Sequence, residues 1–115
     1  MLNLKALLIK ILTEITPVTQ TVTIATGKTV TLRRYGNMVF IRSQSSVTTT
    51  ANTYVNWFTV PEGFRPAQNE YMPALLCGDV SGFGFVLIQP DGQAKIFSHW
   101  SFSNQGIWFS GCYML

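Results

Sequence analysis

Along residues 2–15, apolar side chains recur at intervals of three and four positions, which places them on one face of a helix. The spacing also fits the a and d positions of a coiled coil. Leu8 at a and Ile11 at d favour three or four strands over two. Pro17 cannot continue a helix, so we predict that the helix ends before it. The residues predicted to form an oligomerisation seam are Leu4, Leu8, Ile11 and Ile15.

This predicted helix contains two heptads, which are too few to hold a coiled coil together in water. We therefore expect the helix to be stabilised by the residues that follow it, or to be the end of a longer stalk, with Met1 at the boundary of a fragment. The alternative is one amphipathic helix whose apolar face packs on its own domain.

After Pro17 the pattern changes to short apolar or alternating segments separated by turn residues, among them Gly27-Lys28, Gly36-Asn37 and Pro90-Asp91-Gly92. Turns at this spacing, with no helical pattern between the strands, are typical of a sandwich or jelly roll. We predict an all-β chain, an antiparallel β-sandwich or jelly roll of about eight strands.

Two polar stretches interrupt the predicted strands. Ser43–Asn52 is expected to be a loop or a solvated edge, and Ser101–Gln105 a turn. The domain organisation that follows is a helix over residues 1–16 and a single β-domain over residues 17–115.

The composition of the chain indicates which classes of binding partner to expect. Apolar residues make up 47% of the 115 positions and charged residues 11%, against about 25% charged in an average soluble protein. A surface with so few charges favours burial against other subunits. The net charge of +3 is spread thinly, with Arg33-Arg34 as the one basic doublet, so we expect no nucleic-acid partner. Lys5, Lys10 and Glu14 interrupt the apolar N-terminal residues, so we also expect no membrane insertion.

The two cysteines, Cys77 and Cys112, are too few for a disulfide scaffold and too far apart for a metal knuckle. We expect both to be small buried residues. The alternative is a disulfide between them, which requires the last strand to pair near Cys77.

The titratable residues do not form a catalytic or metal-ligating pattern. His99 is the single histidine, no Gly-x-Ser-x-Gly sequence is present, and Glu70 and Asp79 flank one apolar strand. We predict that the chain is not an enzyme and has no metal site and no cofactor.

A saccharide-binding site needs fewer specific residues than a catalytic or metal site, because an aromatic ring and a few hydrogen-bonding side chains can hold a sugar. The segment 99–105 places an aromatic residue beside polar amides. The predicted ligand-binding residues are His99, Trp100, Asn104, Gln105 and Tyr71. The alternative for Trp100 is a core or subunit-interface position, and Trp57 and Trp108, which lie mid-strand, are expected in the core.

One part of the chain resembles a known family. Phe58-Thr59-Val60 leads into Pro61-Glu62-Gly63-Phe64-Arg65-Pro66, and Pro90-Asp91-Gly92 and Ser110-Gly111-Cys112-Tyr113 follow. This stretch, within Tyr54–Tyr113, resembles the C-terminal receptor-binding head domains of tail-fibre and baseplate proteins from phages and prophages. The resemblance implies a trimeric jelly-roll tip on the virion tail, assembled in the bacterial cytoplasm, that docks on a host cell-surface saccharide or receptor. The prolines, Gly63 and Phe64 also have a purely architectural interpretation, as a stiff loop with a positive-φ corner and a ring turned into the core.

Three hypotheses of function result. The first is a non-enzymatic host-recognition tip. The second is a structural virion or tail-assembly module that contacts other tail or baseplate proteins without binding glycan. The third, a secreted host-defence or cytokine-like trimer, is disfavoured by the N-terminal helix and the phage-like turns.

Overall fold

The computed structural model describes residues 3–15, 17–25, 28–77 and 82–115. For residues 11–15, 24, 25, 44 and 77 it describes the main chain and not the side chain. Within the described residues, one helix precedes eight strands. Their bounds are α1 (Leu4–Ile15), β1 (Val18–Ala25), β2 (Lys28–Tyr35), β3 (Met38–Thr49), β4 (Thr53–Thr59), β5 (Glu70–Cys77), β6 (Gly82–Ile88), β7 (Gln93–Ser98) and β8 (Phe102–Met114). The all-β class and the number of strands predicted from the sequence are confirmed.

Helix α1 begins at a capping residue. The side-chain oxygen Oδ1 of Asn3 accepts hydrogen bonds from the main-chain N–H groups of Lys5 and Ala6, at 3.1 and 3.3 Å. Asn at this position satisfies N–H groups that have no partner inside the helix. The cap sets the start of α1 two residues later than the apolar spacing indicated.

The apolar side chains of α1 that the structure describes do not pack on the β-domain. Leu4 and Leu8, two of the four predicted seam residues, are exposed, and Leu8 has 57% of its surface accessible. At Leu4 and Leu8, the alternative of an apolar face packed on its own domain is therefore wrong. The side chains of Ile11 and Ile15 lie outside the described residues.

All eight strands form one antiparallel sheet, in the order β1-β2-β3-β8-β5-β6-β7-β4. The pairs β3–β8, β4–β7 and β5–β6 are nested inside one another, as in a long two-stranded ribbon that has been wound up. The sheet curls until its edge strands, β1 and β4, come into contact. The predicted sandwich or jelly roll is thus a single curled sheet closed around its core.

The core lies on the inner face of the curl. It is built from alternate positions along the strands, as expected when one face of a sheet is buried. The residues of the core cluster that are wholly inaccessible are Val30, Leu32, Val39, Val60, Leu76, Val86, Ile88, Ala94, Ile96 and Ile107.

The polar stretches are strands rather than loops. Strand β3 runs on to Thr49, with Ser45 opposite Ile107 and Ser46 opposite Gly106, and β8 begins at Phe102. The predicted loop or edge at Ser43–Asn52 is therefore wrong up to Thr49. Ladder hydrogen bonds join main-chain groups, so a Ser- and Thr-rich segment forms a strand when its partner supplies apolar packing.

Strand β4 contains a bulge at Trp57. Asn56 pairs with Lys95 and Phe58 pairs with Ala94, which leaves Trp57 as the extra residue. The bulge reverses the alternation, so Tyr54 is exposed on the outer face while Phe58 is buried in the core. In a regular strand, residues four positions apart share a face, so the sequence alone would place these two rings together.

The sheet has two distinct ends. Val18, the first residue of β1 after the helix, pairs with Arg34, whereas Ala25 at the other end of β1 pairs with Lys28. We call these the stalk end and the distal end. Seven residue steps along β1 separate them by about 23 Å.

Candidate functional site

The predicted ligand-binding segment 99–105 lies at the distal end. The Nζ of Lys28, the residue opposite the end of β1, donates a hydrogen bond to Oδ1 of Asn104 over 2.8 Å. The segment is therefore on the side of the domain remote from α1.

His99 is held against the turn between β3 and β4. Its Nδ1 lies 2.8 Å from Oδ1 of Asn52, and the N–H of Asn52 donates to the carbonyl of Ser98 over 2.8 Å. Asn52 adopts a positive φ of 55°, a conformation that Asn tolerates better than most residues. The partner of His99 at Nδ1 is thus an amide oxygen and not a carboxylate. This contact is therefore not the histidine–carboxylate pair of a Ser-His-Asp triad.

Trp100 follows His99 and is open to solvent, with 52% of its surface accessible. Its main chain is fixed from β3, because Oγ1 of Thr49 donates to the Trp100 carbonyl over 2.9 Å and accepts from the N–H of Phe102 over 2.9 Å. The rings of His99 and Trp100 lie 6.0 Å apart and almost perpendicular. The core alternative for Trp100 is therefore wrong, and its indole is exposed on a fixed backbone. The subunit-interface alternative and the ligand-binding role both stay predictions.

Asn104 and Gln105 do not form one site. Asn104, at a positive φ of 51°, occupies the irregularity in the β3–β8 ladder, and its Oδ1 also accepts from Oγ of Ser46 over 2.8 Å. Gln105 pairs with the core residue Val47, so it shares the inner face of the sheet. Asn104 instead contacts Ser46, which precedes Val47 on β3 and points to the opposite face. The structure therefore separates the two amides.

Tyr71 lies on β5, near the stalk end, and reaches the distal loop only through other rings. Its ring is 6.0 Å from that of Phe85. Phe85 stacks on Phe97 at 4.9 Å, and Phe97 meets His99 at 5.4 Å. Tyr54 covers the centre of this row. Sequence reasoning missed Phe85 and Phe97, which become neighbours of Tyr54 only through the pairing of β4, β7 and β6.

A concave surface of about 570 Å³ crosses the outer face between β3, β8, β5 and β6. Leu75 stands between Trp108 on β8 and Phe83 on β6, its partners in the ladder. Trp108 and Phe83 are exposed over 56% and 77% of their surfaces, so the expectation of a core position for Trp108 is wrong. Trp57 does pack against the core, with its ring 5.6 Å from that of Phe109.

The cysteines are far apart along the sheet. The backbone of Cys77 pairs with Gly106, while Cys112 pairs with Phe40. Six residue steps along β8 separate Gly106 from Cys112, which is about 20 Å, so no disulfide can join the two cysteines. The thiol of Cys112 is free and exposed, rather than buried as the sequence suggested.

The described residues hold no group of three His, Cys, Asp or Glu side chains that could bind a metal ion. Within the same part of the chain, no helix has the length and apolar character that crossing a membrane requires.

Of the two acids that flank β5, Glu70 lies near Tyr113. Burial, and to a smaller extent the charge of Glu70, raises the pKa of the Tyr113 phenol. Asp79, the acid considered as the catalytic companion of Glu70, lies outside the described residues.

The fold can be compared with known proteins. No protein-family model and no curated protein matches the chain. Among solved structures, it matches the crystal structure of the head domain of phage bIL170, a receptor-binding domain of lactococcal phages, with a TM-score of 0.67. The match covers 87% of this chain and 99% of that chain at 17% sequence identity.

The chain has the fold of a phage receptor-binding head domain. The resemblance that the motifs within Tyr54–Tyr113 indicated is confirmed at the level of the fold. In the loop 61–66, Gly63 has a φ of +88° and Phe64 is buried in the core, as the architectural interpretation of this segment predicted.

Proposed function

We propose that this chain is the non-enzymatic host-recognition tip of a phage-type tail fibre or receptor-binding protein. In this proposal it is located at the tip of the virion tail, assembles as a homotrimer in the bacterial cytoplasm, and binds a saccharide or receptor on the host cell surface. The likeness to the bIL170 head domain supports this role. The observation that carries it here is the position of the exposed Trp100 at the distal end, remote from α1.

In the proposed site, Trp100 supplies the apolar face on which a sugar ring stacks, and His99, whose ring lies 6.0 Å away, supplies a hydrogen-bonding group. Asn104 supplies an amide at the same end of the domain. The backbone on both sides of Trp100 is held by Thr49, so little ordering is needed on binding. One such shallow site binds weakly. Three copies on one axis would raise the apparent affinity through effective concentration.

The experiment is a binding screen of the purified chain against bacterial cells and their wall polysaccharides, followed by one pair of variants. Trp100→Ala removes the exposed ring at the distal end. Tyr35→Ala, the matched control, removes an exposed ring at the stalk end. We expect Trp100→Ala to weaken binding by about tenfold or more, which corresponds to about 1.4 kcal/mol, and Tyr35→Ala to bind as the parent does.

The outcomes separate the function from the site. Absence of binding across a broad panel of hosts and glycans overturns the proposed function. Binding that Trp100→Ala leaves unchanged keeps the function and overturns the distal site.

The second candidate function is a structural tail-assembly module without glycan binding. It is favoured by the exposed apolar residues Leu75, Phe83 and Trp108 on the outer face, because such clusters mark contacts with other proteins. It predicts a complex with another tail or baseplate protein that is lost in a Phe83→Ser variant, together with no binding in the glycan screen.

A further inference from the structure

A second groove, of about 710 Å³, crosses the outer face over β2, β3 and β8. Its lining includes two guanidinium groups and three hydroxyls, from Arg33, Arg42, Thr29, Thr31 and Ser110. The groove adjoins the concave surface of Trp108, since Arg42 and Ser110 line both.

The register of the sheet makes the two arginines neighbours. Arg42 stands opposite Thr31, and Arg33 stands opposite Phe40. The two arginines are therefore diagonal neighbours on one face of adjacent strands, where long side chains are within reach of each other. Two like charges held side by side repel, and that repulsion disfavours the arrangement unless an anion offsets it.

Arg33 and Arg42 differ from two other arginines of the domain. Arg34 donates to the carbonyls of Gly36 and Gly63, at 2.7 and 2.9 Å, and Arg65 donates to the carbonyl of Val60 at 2.9 Å. Those two guanidinium groups hold main-chain carbonyls of turns and loops in place. Within the described part of the chain, the guanidinium groups of Arg33 and Arg42 make no hydrogen bond or ion pair, and no acidic residue lines their groove.

We propose that Arg33 and Arg42 form a binding site for an oxyanion, such as the phosphoryl or carboxylate group of a larger ligand. A guanidinium group offers parallel N–H donors that match two oxygens of such a group. The hydroxyls of Thr31 and Ser110 add donors beside the pair. The site is independent of the distal loop and of the function proposed above.

The test uses the full chain and inorganic phosphate, with glucuronate in a parallel arm to separate phosphoryl from carboxylate chemistry. The side-chain Nε–Hε signals of the arginines are followed by NMR during each titration at low ionic strength. We expect the signals of Arg33 and Arg42 to move together and to saturate, while those of Arg34 and Arg65 stay in place. The anion whose titration saturates at the lower concentration is the preferred chemistry.

Paired variants distinguish a site from general attraction. Arg33→Gln with Arg42→Gln removes two charges from the groove, and Lys5→Gln with Lys10→Gln removes the same two charges from the exposed surface of α1. We expect the groove variant to lose at least about tenfold in affinity, or about 1.4 kcal/mol, and the helix variant to bind as the parent does. Thermal unfolding of both variants checks that they are folded.

Three results would overturn the proposal. One is the absence of saturable binding of either anion. Another is an equal loss of affinity in the two charge-matched variants. The third is full retention of affinity by the groove variant.

Discussion

The phenol of Tyr113, near the end of the last strand, donates a hydrogen bond to the main-chain carbonyl of Phe64. Phe64 belongs to the loop between β4 and β5, and both residues are buried in the core cluster. The bond closes a contact between segments 49 residues apart. It fixes the loop 61–69 on β8 at the stalk end, where Arg34 also holds the carbonyl of Gly63.

Replacing Tyr113 by Phe removes this hydroxyl and leaves the Phe64 carbonyl without its donor. We expect the free energy of unfolding at neutral pH to fall by about 1 to 2 kcal/mol, measured by urea denaturation. Burial, with a smaller contribution from Glu70, raises the pKa of Tyr113 above its ordinary value of 10.0. The protonated phenol is therefore favoured by folding, and its contribution is full below about pH 10 and declines as the pH rises further.

The same variant tests the sign of this pH dependence. The parent should lose stability above about pH 10 more steeply than Tyr113→Phe, so the difference between the two should shrink. A difference that stays constant through this range would contradict the burial of the phenol.

Gly92 occupies a turn that tolerates no side chain. Its φ is +92°, and a methyl group there would lie 2.6 Å from the carbonyl oxygen of Val60 and in contact with Nε of Arg65. Gly63 has a similar φ of +88°, yet a methyl group at that position meets only Nη1 of Arg34, at 3.7 Å.

The two glycines therefore make a matched pair of alanine variants. We expect Gly63→Ala to cost roughly 1 to 2 kcal/mol of stability from backbone strain, and Gly92→Ala to cost about 1 to 3 kcal/mol more because the methyl group also overpacks the turn. Urea unfolding of both variants measures the difference. Equal losses would show that the turn around Gly92 relaxes freely.

The tryptophans on β4 and β8 should differ in their effect on stability. Trp57 packs between Phe58 and Phe109, so Trp57→Ala should cost about 3 kcal/mol. Trp108 is exposed on the outer face, and Trp108→Ala should cost well under about 1 kcal/mol. Chemical denaturation compares them, and similar losses would place Trp108 in a buried interface between copies.

The predicted seam on α1 is tested by Leu8→Gln with Ile11→Gln. If the helix holds the oligomer, the double variant should shift the mass measured by light scattering from a trimer toward a monomer, because polar residues at a and d positions weaken the seam. Lys5→Gln with Lys10→Gln serves as the control on the same helix. A trimer that survives the Leu8 and Ile11 changes would be held by the β-domains, and a monomeric parent would contradict the seam.

Local features were predictable wherever neighbouring residues decide the outcome. A stiff loop with a ring turned inward was predicted from Pro61, Gly63 and Phe64. The structure confirms that Phe64 is buried and that Gly63 has a positive φ. In contrast, the site residues were predicted as one group although they lie on two faces and two ends. Tyr71 approaches the distal loop only through Phe85 and Phe97, and Gln105 turns to the inner face.

By itself, the sequence determined the all-β class, the number of strands, the helix before Pro17 and the turns at Gly36-Asn37 and Pro90-Asp91-Gly92. These depend on spacing and on backbone preferences within a few residues. The predicted turn at Gly27-Lys28 includes a position outside the described residues. The tertiary structure alone decided which aromatic rings are exposed and that Arg33 and Arg42 are neighbours. The reason is strand register. A bulge such as that at Trp57, or a shift of one residue, moves a side chain to the opposite face of the sheet, and residues far apart in the chain become neighbours only once the strands pair.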